Sequence, residues 1–289
     1  MPHAKIISAK NLNFSYPEAL TVTLSNVTFE VTVGEFALLC GRTGSGKTTL
    51  LRQLIPALAP HGQLSGSLEV KGSVGFVQQD PDSQIVTDSV FHELAFALEN
   101  QSIPTQTIRR KVAEIASYFG LEHLLESATY TLSGGQKQIL NLAAALVAEP
   151  DILVLDEPTS ELDPIAAQNF LRHLTRVNRE LGTTIVCCEH RLDEVLSLCD
   201  KVFLIGRRSR QCESRYHESR QCKDYHCAEP DSEGVQTFTP QEFVNSCQGE
   251  NSDFAIFLPE PTQIALAVGL QGAEGFPLDV REGRLWLQR

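Results

Sequence analysis

The sequence predicts an α/β fold, a mixed sheet flanked by helices, and three observations predict it. Phe36 to Cys40 is an apolar, strand-like run that enters a glycine-rich turn and is followed by leucines at helical spacing, Leu50, Leu51, Leu54 and Leu58. DILVLDEPTSELD, Asp151 to Asp163, contains a run of aliphatics that stops at two carboxylates. TTIVCC (183–188) and KVFLIG (201–206) read as further strands of the same core.

Length and composition bound what this fold can do. At 289 residues the chain is long enough for one large domain, or one domain with an appendage, around a real core. No window offers the roughly 18 consecutive apolar residues of a membrane span. The opening MPHAKIISAKNLNFSY lacks the basic and apolar regions of a secretory signal, so a cytoplasmic address is expected and the eight cysteines are expected as free thiols. A net charge of −12 disfavours non-specific attachment to nucleic acid or anionic lipid, so any membrane role would run through a protein partner.

The turn after Cys40 is G-x-x-x-x-G-K-T, Gly41 to Thr48. Its strand-before, helix-after setting makes it a phosphate loop rather than a chance match. In such a loop Gly44 and Gly46 let backbone N–H groups approach phosphate oxygens, Lys47 reaches the β- and γ-phosphates, and Thr48 offers its hydroxyl to Mg²⁺. Arg42, Thr43, Ser45 and Thr49 complete the nucleotide-binding candidates there. A nucleoside triphosphate is the implied ligand.

The aliphatic strand at 151–163 is expected to lie parallel to the one feeding this loop, bringing Asp156 near the metal and leaving Glu157 facing an attacking water. Two adjacent acids placed there only to end a strand would repel without a cation or donor between them. Upstream, LSGGQ (132–136) opens a helical pattern continued by Gln138, Leu142 and Leu146. Ser133 is a candidate N-cap, and Gly134 and Gly135 expose backbone donors with Gln136, making a second anion site. Two phosphate-binding features and one nucleotide per chain suggest that the second serves another subunit's nucleotide.

Together GRTGSGKT, LSGGQ, ILVLDE and the histidine of CCEHRLDEV, His190, resemble the nucleotide-binding subunit of an ATP-binding cassette (ABC) transporter, over Ile6 to about Ile205. The resemblance implies ATP and Mg²⁺ as ligands and ATP hydrolysis as the activity. It also implies a head-to-tail dimer, of identical or related chains, with each ATP between one subunit's phosphate loop and the other's LSGGQ. By the same resemblance Tyr16 stacks on adenine, Asp163 crosses the interface and His190 contacts the γ-phosphate. Tyr16 as an ordinary edge-strand aromatic remains the alternative. Glu157, His190 and Gln79 are the catalytic candidates; Thr48, Gln79 and Asp156 are the metal candidates.

FVQQDPDSQIVTDSV (76–90) ends a strand in amides. In the resembled family the glutamine here, Gln79, joins the Mg²⁺ and water shell; a neutral amide can both accept from water and donate to phosphate. Gln78 should point to the other face of the strand. Two helices follow, in DSVFHELAFALEN with Val90, Leu94, Ala97 and Leu98 as its apolar face, and in IRRKVAEIASYFGLEHLLE. They read as a helical subdomain over about 80–145, inserted in an ATP-binding domain of residues 1–235. Gln84, Ile85 and ELAFALEN resemble energy-coupling factor (ECF) importers, which implies two further partners, a transmembrane coupling protein and a substrate-binding membrane subunit. It also implies a peripheral place on the cytoplasmic face of the membrane and a vitamin or transition-metal ion as cargo. Asp80, Asp82 and Glu93 could receive basic residues of the coupling protein, or be solvated loop and cap residues. Another ABC transporter class, or a soluble ABC protein acting on nucleic acid or ribosomes, is the alternative. The acidic single module, without coiled-coil arms, argues against the latter.

After KVFLIG comes a polar stretch, 207–234, in which SRQC occurs twice. It reads as a solvated insertion, with Zn²⁺ or transition-metal binding by Cys212, Cys222, Cys227, His217 and His226 as the alternative. Thr239 to Phe243 reads as a capped helix start, and 236–289 resembles the small dimerisation extension of ECF ATPases.

Overall fold

Alternating apolar residues in one short strand decide which helices lie on which side of the molecule. The computed structural model describes residues 4–19, 21–206, 234–248, 251–268 and 275–287. Strands β1 (Lys5–Ser15) and β2 (Leu24–Thr32) pair antiparallel. Asn11, at φ 48°, inserts a register shift between Ala9 and Leu12, so that Ile7 and Ala9 before it and Leu12 and Phe14 after it all face the core. Across from this bulge stands Gly66, at φ 88°, where a Cβ would collide with the Asn11 carbonyl oxygen. Only glycine fits that position.

β3 (Phe36–Gly41) is buried along its whole length. Phe36, Leu38 and Cys40 face one apolar cluster, while Ala37 and Leu39 face the other. The helix after the phosphate loop, α1 (Lys47–Gln53), packs Leu50 and Leu51 into the second cluster. It is shorter than the leucine spacing predicts. Pro56 has no N–H and restricts the residue before it, so the chain leaves the helix at Leu54 and Leu58 is exposed.

β4 (Gln63–Val70) completes a three-stranded sheet in the order β2-β1-β4. The remaining strands are β5 (Val74–Val77), β6 (Ile152–Asp156), β7 (Thr184–Cys188), β8 (Lys201–Ile205) and β9 (Val235–Phe238). They form a second sheet, ordered β5-β6-β7-β3-β8-β9, parallel except for β9. This is the predicted mixed sheet, with its buried parallel strands reading as continuous aliphatic runs. Helices α2 (Pro81–Gln84), α3 (Val90–Asn100), α4 (Thr105–Phe119) and α5 (Gly134–Leu146) lie between β5 and β6 in sequence; α6 (Pro164–Leu181) and α7 (Leu192–Val195) flank β7. The leucines of α5 join the first cluster, so α1 and α5 are rooted on opposite faces of the large sheet.

α3 buries Val90, Leu94 and Leu98 as expected, with Ala95 rather than Ala97 completing the buried face. Glu93 corrects the sequence reading. Only 6% exposed, its Oε2 accepts from the N–H groups of Val86 and Thr87 and from the Thr87 hydroxyl, at 3.1, 2.8 and 2.8 Å. It staples the loop before its own helix and offers no surface charge. Asp80 caps α2 and Asp82 pairs with Lys137, so these two acids are also engaged within the chain.

The insertion at 207–234, with Cys212, Cys222, Cys227, His217 and His226, lies outside the described residues apart from Gly234. β9 continues the large sheet past residue 235. Thr239 and Glu242 form a capping box that starts α8 (Pro240–Ser246). Phe243, Val244 and Leu258 enter the first cluster, as does Ala265 of α9 (Glu260–Val268); α10 (Val280–Leu287) follows. No helix among the described residues is long and apolar enough to cross a membrane.

Glu93→Ala should lower the free energy of unfolding by about 2–4 kcal/mol, because two amides and a hydroxyl lose their shared acceptor. Urea denaturation measures it; a residue serving only as a docking charge would leave stability unchanged.

Candidate active site

The phosphate loop closes on itself. Ser45 N–H donates to the Arg42 carbonyl, and Lys47, 5% exposed, donates from Nζ to the carbonyls of Gly41 and Arg42 at 2.9 and 3.2 Å. Gly46 holds φ 97° against Leu24 and the Thr23 carbonyl, leaving no room for a side chain. Among the described residues the buried Ser45 hydroxyl has no hydrogen-bond partner and Lys47 no carboxylate pair. An orphan hydroxyl beside such a lysine suits an incoming phosphate oxygen. The guanidinium of Arg42 pairs with Asp253. Tyr16 lies one residue past β1, its hydroxyl 3.0 Å from Thr49 Oγ1 and its ring edge-on to Phe14, so a partly exposed aromatic face stands beside the loop.

Under the loop, Thr48 Oγ1 donates to Asp156 Oδ1 at 3.2 Å. The contact follows from β6 alternation: Ile152, Val154 and Asp156 point to the α1 side of the sheet. Burial, chiefly, and then the neighbouring Glu157 push the Asp156 carboxyl above its ordinary range, with the Thr48 hydrogen bond opposing. A divalent cation would reverse that pressure. Cys188 Sγ lies in the same small cluster with Asp156 and Glu157. Its thiol is driven far above the usual range by burial and stays protonated, which leaves hard oxygen donors that fit Mg²⁺. Thr48 and Asp156 are thus brought together. Gln79 is exposed two residues beyond β5, at the strand end that registers with Leu155.

Glu157 is the first residue after β6 and holds φ 50°, a left-handed conformation costly for a side chain with a Cβ. Its N–H donates to the Cys188 carbonyl at 2.9 Å, and its carboxylate Oε1 meets His190 Nε2 at 2.8 Å. The left-handed turn brings the second carboxylate onto the histidine while keeping it within 4.8 Å of the first. Ser133 caps α5 in a capping box with Gln136. Gly134 faces open space, whereas a Cβ on Gly135 would stand 2.9 Å from Ala166. Asp163 caps α6 by accepting from the N–H groups of Ile165 and Ala166, a role its D-P spacing signals.

Three residues to which sequence reasoning gave no part in the site, Gln78, Gln138 and Glu189, hold these loops. Gln78 lies beyond the strand rather than on its other face, and acts through its backbone: its N–H donates to Gln84 Oε1 and its carbonyl accepts from Gln138 Nε2. Gln138, wholly buried, also donates to the Pro158 carbonyl at 2.8 Å. A polar residue on the apolar face of α5 was the available signal. Glu189, 3% exposed, accepts from Thr159 N–H and Oγ1 and from His190 N–H. Burial is the main cause pushing its carboxyl up from 4.5 to about 7.

Residues 24–160 match the ABC transporter family. An ABC transporter ATP-binding protein of Bacillus anthracis is 46% identical over 217 residues, which are 71% of this chain and 39% of that protein. One from Methanosarcina acetivorans is 36% identical over 213 residues, 69% of this chain and 64% of its own length. The chain therefore spans well under two thirds of the Bacillus relative. Among solved structures, CbiO1 of Clostridium perfringens, described as part of the ABC transporter complex CbiONQ, matches with TM-score 0.67 and 26% identity over 98% of this chain and 99% of that one. A dimeric ATP-binding cassette bound to ADP and Pi shares the fold, with TM-score 0.59 and 24% identity over 68% of this chain and 93% of that one.

The folded protein keeps the Glu189 proton up to about pH 7, whereas the unfolded chain releases it near 4.5. Between those values stability from this group falls as pH rises, by a total on the order of 3 kcal/mol. Urea denaturation from pH 5 to 8 should show Glu189→Gln gaining on the wild type across that window and holding a constant lead above it.

Proposed function

The chain carries an ATP-binding domain of the ABC transporter family, and from that premise we propose that it binds and hydrolyses ATP to drive an importer of the ECF type. The observation that carries the hydrolytic reading is the joint placement of the Thr48–Asp156 contact under the phosphate loop and the Glu157–His190 pair at 2.8 Å beside it.

In this reading Lys47, the loop amides and the Ser45 hydroxyl receive the β- and γ-phosphates, and Tyr16 stacks on the adenine. Thr48 and Asp156 hold Mg²⁺, with Gln79 reaching the same edge. When bound, the ion neutralises charge on the phosphate oxygens. Glu157 accepts a proton from the attacking water as the bond from the γ-phosphorus to the bridging oxygen breaks. His190 keeps that carboxylate in place and faces the γ-phosphate. The phosphate loop and LSGGQ are rooted on opposite faces of the sheet, which supports Ser133, Gly134, Gly135 and Gln136 serving the ATP of a second ATPase unit, with Asp163 at the junction.

The importer reading rests on two supports, the resemblance of the 80–100 stretch to ECF ATPases and the similarity to CbiO1. A transmembrane coupling protein would dock at the helical arm, and a membrane subunit would carry a vitamin or transition-metal ion. The ATPase then sits peripherally at the cytoplasmic face. Since Glu93 is buried and Asp82 is paired, the docking face is better described as apolar: Val86 and Phe96 are 64% and 43% exposed, and the Val86 amide is tied to Glu93 one turn before Phe96.

Glu157→Gln should keep ATP affinity while turnover falls by about 100-fold or more, with the ATP-bound protein accumulating as a dimer. Equilibrium ATP binding, phosphate release and light scattering measure the three. Hydrolysis at the wild-type rate in this variant overturns the assignment.

A further inference from the structure

We propose that Glu189 is the positioning residue of the hydrolytic pair, its buried carboxylate fixing the backbone on both sides of the Glu157–His190 contact. The inference rests on the hydrolytic reading above and adds to it a residue to which that reading gives no role.

The geometry is specific. One oxygen of Glu189, Oε1, accepts from Thr159 N–H at 3.0 Å and from Thr159 Oγ1 at 2.8 Å. The other, Oε2, accepts from His190 N–H at 3.3 Å. Thr159 stands two residues after Glu157, and its side chain is wholly buried. From the opposite side Gln138 donates to the Pro158 carbonyl at 2.8 Å. The segment Glu157–Thr159 is therefore gripped between α5 and the loop that carries His190. Glu157 needs such a grip, because its φ of 50° persists only where the surroundings over-determine it.

Packing alone does not account for the residue. Among the described residues no lysine or arginine forms an ion pair with Glu189, so its carboxyl is held by three hydrogen bonds without a counter-ion. An apolar side chain would fill the volume at lower cost. Above about pH 7, where Glu189 has released its proton and where kcat is to be measured, its carboxylate supplies two acceptor oxygens, one for each of two loops. A glutamine keeps one acceptor and turns an NH₂ group toward the other loop's N–H. Loosening either loop displaces the carboxylate or the imidazole by a fraction of an ångström, which lowers the rate without touching the phosphate-binding residues.

The test uses the full chain in four forms: wild type, Glu189→Gln, Thr159→Val and the double variant. Glu189→Gln should lower kcat by about tenfold while ATP affinity stays within about twofold, and its denaturation midpoint should be no lower than the wild type's. The double variant should lose little beyond Glu189→Gln alone, since both changes release one segment. Amide hydrogen exchange should quicken at Thr159 and His190 in Glu189→Gln. Unchanged kcat in Glu189→Gln, or a loss that follows weakened ATP binding or a lowered midpoint, overturns the proposal. A wild type that binds ATP without hydrolysing it would sink the hydrolytic reading instead. The exchange rates then still decide the clamp: quickened exchange at those two amides supports it, and unchanged exchange overturns it.

Discussion

Two carboxylates side by side at the end of a buried strand repel each other and resist burial, and the site is arranged around that constraint. Asp156 stays on the strand's alternation and turns toward α1, where Thr48 donates to it. Glu157 leaves the alternation through a left-handed residue and meets His190. One acid is thereby aimed at the phosphate loop and the other at the histidine. The parallel register of β6 with β7 makes both possible, since Asp156 lies opposite Cys188 and His190 follows two residues later. Shift that register by one residue and both acids change faces.

Around these acids the connecting elements are joined by neutral amides. Gln84 bonds the Phe76 carbonyl and the Gln78 N–H, Gln138 bonds the carbonyls of Gln78 and Pro158, and Asn141 bonds the carbonyl of Pro81. The strand end that carries Gln79, helix α5 and the turn after Glu157 thus share one buried and half-buried network. An amide suits this work because it donates and accepts without a net charge, so no change of position requires a buried ion to find a new partner. A charged link, Lys137 to Asp82, sits at the rim where its aspartate is solvated.

Much of this was legible in the sequence, and the rest was not for a physical reason. Periodicity and local motif chemistry revealed the strand–loop–helix at Gly41 to Thr48, the strand ending in Asp156 and Glu157, the capped start at Ser133 and the apolar face of α3. Each of those signals is carried by residues a few positions apart. Leu58 was misplaced although its signal, Pro56, was also local. Gln138 and Glu189 were missed because what defines them is a partner brought close by the fold: Glu189 reaches back 30 residues to Thr159 and Gln138 reaches 60 to Gln78. Glu93 was misread although its partners, Val86 and Thr87, stand in the loop just before its helix. A buried carboxylate and a surface carboxylate are the same letter in a sequence, and only the hydrogen-bond donors around them separate the two.

Some of the local rules this chain breaks are broken where the proposed chemistry takes place. Left-handed Glu157 costs about 1–2 kcal/mol of backbone strain, and a buried orphan hydroxyl such as Ser45 Oγ about 1–3 kcal/mol. Glu189 adds a carboxyl without a counter-ion. None of the three is needed to close the two apolar clusters, whose buried leucines and phenylalanines each contribute about 1.5–3 kcal/mol. Stability is supplied in the body of the sheet and given up along its carboxyl edge. That division is expected of a site with the proposed role, whose groups would be held in place for a phosphate and a cation.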